Sequence, residues 1–357
     1  MRQINTGNLF TIEVLDKHRA FWLRKDVDEP LVQRFHFGGF RQKPYPLSDE
    51  RSAVKPVKLT PDLIDIPRLL GLDQARPAPI DNNKVNWVGP VFPEAWMESV
   101  VGCPVYASAF SCTAKPVTNS VESFASDFQL SEALQSPWLK VMDKVIETAV
   151  GFAGTDIAVR QLHMRGIIDM LAACIGEESL CLALHDRDRH LNQLGDAFTQ
   201  LYIEVALRGL HLRPQWNGGY VSTWGLFAPG SLLDYQADAS SMIAPDLYKE
   251  FFIKYDSSII SEFEHSIVHV HACGLHIIDA LLQIDELNAI EISLDRETGV
   301  WFPQKLIDYC KEIQSAGKSV LIYGQLSKAE LEVFLAALSP VGLAIFHWNE
   351  CNKKAKS

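Results

Sequence analysis

Residues 266–274, Ser266-Ile-Val-His-Val-His-Ala-Cys-Gly274, read as a buried strand whose chemistry falls on one face. Strand side chains alternate between faces, so His269, His271 and Cys273 share one side and Val268, Val270 and Ala272 the other. One face is built to pack and the other to bind. A thiol and an imidazole two positions apart are ligand types that zinc accepts, and Gly274 allows a sharp turn just beyond them. The same His-x-Cys pair also suits a satisfied histidine beside a small buried thiol, so the rest of the chain decides.

Outward from this strand, the second half of the chain alternates strands and helices with short loops. Residues 289–294 and 319–324 read as strands. The intervening helix opens at Pro303, carries Leu306, Ile307, Cys310 and Ile313 on one stripe and stops at Gly317. Ser327-Lys-Ala-Glu330 is a capping box that opens a further helix, and residues 342–348 form a last strand. Upstream, Leu191, Leu194, Phe198, Leu201 and Val205 stripe a long helix, and Tyr248, Phe252, Tyr255, Ile259 and Phe263 stripe the one that leads into the 266–274 strand. Strands are also expected at 31–37, 104–110, 156–163 and 219–225. That makes eight, the arithmetic of a (β/α)8 TIM barrel.

The 357 residues fit a single barrel domain over 1–357, in which 38–100, rich in proline and charge, reads as an irregular N-terminal insertion near the barrel mouth. A helix over 11–25 presents Leu15, His18, Phe21 and Trp22 on one face, and with no helix after the last strand it is the candidate to close the ring.

With 47% hydrophobic and 22% charged residues the composition is that of a soluble globular protein. No apolar run approaches the ~20 residues that span a bilayer, and no signal peptide is expected at the N-terminus, so the reading is cytoplasmic. Seven cysteines form no disulfide framework and fit reduced thiols. A formal net charge of −11 argues against nucleic acid as a partner.

Barrel sites lie at the C-terminal ends of the strands. In the last strand Ala344, Phe346 and Trp348 alternate with Ile345, His347, Asn349 and Cys351. Taking the second set as inward-facing brings His271, Cys273 and Cys351 together as three zinc ligands with a fourth position open for substrate, the pattern of a catalytic site. Tyr323 and Gln325 face the interior by the same parity argument and read as pocket lining. Arg165 and Asp169 either orient a substrate or form an ion pair at a helix N-terminus.

Gly102-Cys-Pro104, Arg165-Gly-Ile-Ile-Asp169, the stretch Asp238-Ala-Ser-Ser-Met-Ile-Ala-Pro-Asp-Leu-Tyr-Lys-Glu-Phe251 and His271-Ala-Cys-Gly274 together resemble the uroporphyrinogen decarboxylase superfamily. Within it the chain is most similar to the zinc- and corrinoid-dependent methyltransferases of the methylcobalamin:coenzyme M type, over most of the sequence from about residue 90. The resemblance implies a zinc ion on a His-x-Cys pair and a distant cysteine, which His271, Cys273 and Cys351 match in order. Here the distal cysteine sits in Trp348-Asn-Glu-Cys-Asn352 rather than in a glycine-rich turn, so Glu291, His347 and His269 stand as substitutes.

It further implies methyl transfer between a corrinoid, as a corrinoid protein or free methylcobalamin, and a small thiol such as coenzyme M or homocysteine, and it leaves room for a homodimer. The decarboxylases' N-terminal arginine motif has no counterpart near Phe37-Gly-Gly-Phe-Arg-Gln42. A metal-free lyase and a non-catalytic corrinoid- or partner-binding barrel are the two alternatives.

Overall fold

The structure, a computed structural model, describes residues 6–35, 56–70, 83–89, 95–107, 112–295 and 303–348. It is a mixed α/β fold around a parallel sheet. In chain order the parallel strands are β1 (Leu31–Arg34), β2 (Trp87–Val88), β3 (Ala158–Val159), β4 (Leu232–Gln236), β5 (His265–His271), β6 (Ala289–Leu294), β7 (Ser319–Gln325) and β8 (Leu343–Trp348). Six of them form one sheet in the order β1-β8-β7-β6-β5-β4, with every neighbouring pair parallel.

A parallel sheet covered on both sides leaves its strands apolar on both faces. On the outer face Val268, Val270, Ile290, Ile292, Val320, Ile322 and Ile345 belong to the large core shared with the helices. On the inner face Leu31, Leu232, Ile267, Ala289, Leu321, Ala344 and Phe346 form a second cluster with Phe21 and Trp22. The last two come from helix α1 (Thr6–Trp22), whose Trp22 Nε1 donates to the Phe227 carbonyl at 2.7 Å. The N-terminal helix therefore plugs the inner cluster, and its expected stripe of Leu15, His18, Phe21 and Trp22 is buried.

β2 and β3 pair in parallel beside this sheet, and isolated parallel bridges join Arg160 to Val221 and Arg165 to Gln236. Between β3 and β4 a side chain does the work of a ladder: Gln161 Nε2 donates to the Asp234 carbonyl at 2.7 Å, and the Asp234 amide donates to Gln161 Oε1 at 2.9 Å. On the other side Gln33 Nε2 donates to the Asn83 carbonyl and Asn83 Nδ2 to the Val32 carbonyl, at 2.7 and 3.0 Å.

Two expected strands take other partners. Val105–Ala107 lies in a small antiparallel sheet with Val57–Lys58 and Cys112–Ala114, and Gly219–Val221 forms an antiparallel pair with Phe227–Pro229. The parallel sheet uses β4 where 219–225 was expected, and β2 lies inside the stretch read as an irregular insertion. β4 hides from a sequence reading because Asp234 and Gln236 are buried alongside Leu232, Leu233 and Tyr235, so neither apolar alternation nor a continuous apolar run marks it. The 38–100 stretch also holds helix α2 (Trp96–Val100), buried throughout, whose Trp96 Nε1 donates to the His163 carbonyl.

His18 joins α1 to two elements. Its Nδ1 accepts from the Phe227 amide at 3.0 Å, which leaves the proton on Nε2 to face the Asn83 carbonyl at 3.0 Å. Burial lowers its pKa to about 4, against a smaller opposite effect of the Asn83 carbonyl. The unfolded chain takes up a proton near pH 6.5 that the folded chain refuses, so this contribution to stability is present above 6.5 and is lost as pH falls toward about 4. It amounts to on the order of 3 kcal/mol. Urea titrations across pH 7 to 4 are expected to show the loss, with a slope shallower by about one proton in His18→Gln.

Candidate metal centre

β5 ends at His271, where the chain enters a 3-10 turn over Ala272–Ile277. The turn begins before Cys273 and packs Gly274 closely: a Cβ there would lie 3.3 Å from Val270 and 3.4 Å from Ser240 Oγ. Cys273 thus leaves the strand and is exposed, so the expected continuation of strand parity to residue 273 does not hold. His269 and His271 do share the inner face with Ile267. In the sheet register His269 stands beside Glu291 and Gln236, and His271 beside Ser293, which in turn neighbours Tyr323.

Asp238 reaches the two imidazoles from a 3-10 turn, Asp238–Met242, just past the end of β4. His269 Nε2 and His271 Nε2 are 3.4 Å apart, His271 Nε2 lies 3.4 Å from Asp238 Oδ1, and His269 Nε2 lies 4.0 Å from the same oxygen. These three can share one ion, and they are the group of potential metal ligands found among the described residues. Ligands at ~2.0 to 2.2 Å in a tetrahedral arrangement stand about 3.4 Å apart, so the triangle has the right size.

The far side of each imidazole meets a carboxylate. His271 Nδ1 lies 2.6 Å from Asp295 Oδ2, and Asp295 Oδ1 accepts from Ser293 Oγ at 3.2 Å. His269 Nδ1 lies 3.1 Å from Glu291 Oε1, though without hydrogen-bond alignment, so that both oxygens of the fully buried Glu291 and the His269 Nδ1 are unsatisfied. Asp238 Oδ1, which faces the histidines, is an unsatisfied buried acceptor as well. A carboxylate behind each histidine is the arrangement that fixes the tautomer of metal-bound imidazoles. The donor set and the orphaned Oδ1 fit a divalent cation.

Charge accounts for the titration of the cluster. Burial works to lower the His271 pKa, but Asp238 and Asp295 outweigh it and raise it to about 11. Burial would raise the Asp238 carboxyl, yet His271, His269 and Arg165 hold it below the ordinary carboxylate range. Without an ion, the carboxylates on either side of His271 favour its protonated form.

Arg165 and Asp169 lie behind Asp238. Arg165 Nε is 3.4 Å from Asp238 Oδ2, its Nη1 is 2.9 Å from Glu98 Oε1 and its Nη2 is 3.5 Å from Asp169 Oδ1. Asp169 caps helix α3 (Ile167–Ile175) by accepting from the Gly166 amide, and it also accepts from the amides of Asp238 and Ala239. It thereby fixes the backbone that carries the candidate ligand. Burial raises Glu98 to about 7 and Asp169 to about 6 against the pull of Arg165. A cavity of about 540 Å3, lined by Arg165, Asp169, Asp238, Cys112, Lys115 and Met242, reaches this network. A larger cleft of about 900 Å3 runs along 99–105 and 123–138 and touches none of the cluster.

Tyr323 lies on the inner side with Leu321, as its parity implied. The last strand is inverted relative to the expectation: Ala344 and Phe346 are inward and Ile345 belongs to the outer core, so His347 has the outward parity. Cys351 lies outside the described residues. Asp238 and Asp295 were not among the expected site residues, although Asp295 follows Glu291 and Ser293 at alternate positions and could have been read by parity. Trp224, packed against the inner cluster, stacks on His269 with centroids 5.3 Å apart.

No protein-family model and no curated protein matches the chain. Among solved structures it is similar to a methyltransferase from Methanosarcina mazei, with a TM-score of 0.60 and 14% identity over 93% of this chain and 92% of that one. At that identity the likeness establishes a shared fold. Among the described residues no helix is long and apolar enough to cross a membrane.

The network depends on close approach at Gly166, where a Cβ would lie 2.3 Å from the Gln236 carbonyl oxygen and 2.5 Å from the Tyr235 hydroxyl. Gly166→Ala is expected to cost roughly 1 to 3 kcal/mol, the range for overpacking, read as a lower urea midpoint at unchanged m-value.

Proposed function

We propose that the chain is a metal-dependent methyltransferase that moves a methyl group between a corrinoid and a thiol, on a (β/α)8 barrel of which β1 to β8 are the staves. The reading of a barrel draws on the eight parallel segments, the Arg165–Gln236 bridge and the Gln161–Asp234 pair between the β3 region and β4, and the side-chain amides linking β1 to Asn83. The observation that carries the functional reading is the convergence of His269 Nε2, His271 Nε2 and Asp238 Oδ1, with a carboxylate behind each imidazole. The methyltransferase fold likeness and the motif resemblance point the same way.

Two imidazoles and one carboxylate suit zinc, with a position left for substrate. Zinc held there would lower the pKa of a ligating thiol and so supply a nucleophile near neutral pH. The chain's own groups do the positioning. Asp295 and Glu291 orient the imidazoles, Arg165 holds Asp238 Oδ2 so that Oδ1 faces the histidines, and Asp169 fixes the Asp238 backbone. This donor set carries one formal negative charge, where a histidine with two thiolates carries two. It favours loss of the thiol proton more and leaves the sulfur less electron-rich.

The ligand set implied by resemblance, His271 with Cys273 and Cys351, differs in its thiolates, and variants separate the two. Wild type is expected to hold about one zinc per chain and to methylate a thiol from methylcobalamin. His269→Ala and Asp238→Ala should lose metal and activity, Asp295→Asn should weaken zinc binding by about 10- to 100-fold, and Cys273→Ala should keep its zinc. Zinc lost in Cys273→Ala but kept in His269→Ala would return the site to the thiolate set. A wild type without metal would overturn the proposal.

A further inference from the structure

The stretch Gly102-Cys-Pro104 stops helix α2 and in doing so fixes a thiol. Gly102 takes a φ of 100°, the Cys103 amide donates to the Glu98 carbonyl at 2.9 Å and the Gly102 amide to the Ser99 carbonyl at 3.2 Å, the two bonds of a Schellman stop. Pro104 prevents the helix from resuming. The Cys103 Sγ then stands 3.5 Å from the Sγ of Cys174 in the last turn of α3, close enough for one thiol to donate to the other. Backbone bonds fix the second cysteine as well, because the Cys174 carbonyl accepts from the amides of Val117 and Thr118 at 2.9 and 3.3 Å.

Both side chains are buried, yet their surroundings differ. Cys103 lines the cleft of about 900 Å3, beside Ser99, Gly102 and Pro104, whereas Cys174 is not part of its wall. A small solute in the cleft meets Cys103 first. Burial, and after it the neighbouring Cys103, raises the Cys174 pKa well above that of a free thiol, so this cysteine keeps its proton. One sulfur that reagents reach and a second in contact behind it are the attacking and resolving positions of a redox pair. Packing asks for neither feature. Cys310, fully buried on the apolar stripe of the helix Pro303–Ser315, is a thiol in that plainer role.

We propose that Cys103 and Cys174 are a peroxide-reactive dithiol that closes reversibly to a disulfide. The Cys103 sulfur attacks one oxygen of a hydroperoxide, the O–O bond breaks, and a sulfenic acid forms on Cys103 while the other oxygen leaves as an alcohol or water. The Cys174 sulfur then attacks the Cys103 sulfur, the S–O bond breaks, and the Cys174 proton leaves with the hydroxide as water. Two thiols thus lose two electrons and two protons, and the hydroperoxide gains them. The sulfurs have about 1.5 Å to close before they reach bonding distance. The bridge would tie α3 to the stop of α2, the two helices that present Asp169 and Glu98 to Arg165.

The test needs neither the metal nor methyl transfer. Folded protein is treated with low-millimolar hydrogen peroxide near neutral pH, quenched with catalase, denatured, alkylated, digested and mapped by mass spectrometry. The expected product is a peptide pair joined through Cys103 and Cys174, lighter by two hydrogens and separated by dithiothreitol, with Cys310 still a free thiol. Cys174→Ala should halt the sequence at a Cys103 sulfenic acid that dimedone traps, and Cys103→Ala should leave Cys174 unoxidised. Because the bridge joins positions 71 apart, oxidised wild type should unfold at a higher urea concentration than reduced wild type, and peroxide should not raise the midpoint of either variant.

Recovery of both cysteines as free thiols, a sulfenic acid on Cys174 in Cys103→Ala, or a bridge that forms in urea and not in the folded chain would each overturn the proposal. The wild-type map decides even where a variant fails to fold.

Discussion

The sheet and the helices against it bury carboxylates, and the rest of the site follows from how their charge is met. Glu98, Asp169, Asp234 and Glu291 are all buried almost completely. Removing an ionised carboxylate from water costs several kcal/mol unless a partner and hydrogen bonds compensate it. Asp169 has Arg165 and three backbone amides, and Glu98 has Arg165. Glu291 has His269 Nδ1 at 3.1 Å, and among the described residues neither of its oxygens is in a hydrogen bond. A positive charge shared by His269 is what balances it, as a proton on the imidazole or as a cation on the opposite nitrogen.

The same requirement explains why some of the fold could be read from the sequence and some could not. In β5, β6 and β7 the polar residues His269, His271, Glu291, Ser293 and Tyr323 fall on alternate positions among apolar ones, so chemistry labels the inner face. β8 has no such label. Ala344 and Phe346 on one side and Ile345 on the other are equally apolar, and a parity argument that can start on either face started on the wrong one, taking His347 with it. β4 fails for the opposite reason. Asp234 and Gln236 make it look like a loop, because their partners, the Thr223 amide, Gln161 and His163, are far away in sequence.

The candidate ligand set shows the limit of spacing more sharply. His271 and Cys273 are two apart, as are His269 and His271, and an uninterrupted strand would place all three on one face. The chain turns after His271, so only the upstream pair stays inside. Asp238 adds a third candidate donor from the end of the strand next to β5, a position that only sheet order makes adjacent. The resemblance motif does contain Asp238, but a carboxylate at the head of a loop has no feature that marks it as a ligand until the neighbouring strand is known.

What holds Asp238 in place extends into the helix layer. The Tyr235 hydroxyl donates to Asp256 Oδ1 at 2.6 Å and accepts from the Ile167 amide at 3.2 Å, which ties β4 to the first turn of α3. Tyr248 donates to the other oxygen of Asp256 at 2.6 Å, so the helix before β5 joins the same knot. Burial raises Asp256 to about 6, with the two phenols opposing. From that knot α3 presents Asp169, Asp169 holds the Asp238 and Ala239 amides, and Arg165 holds the Asp238 carboxylate. A carboxylate that stands 3.4 Å from one imidazole and 4.0 Å from the other is therefore not positioned by its own loop. It is positioned by a buried hydrogen-bond network, and loosening Asp256 or Tyr235 would be felt at Asp238 before it was felt in the sheet.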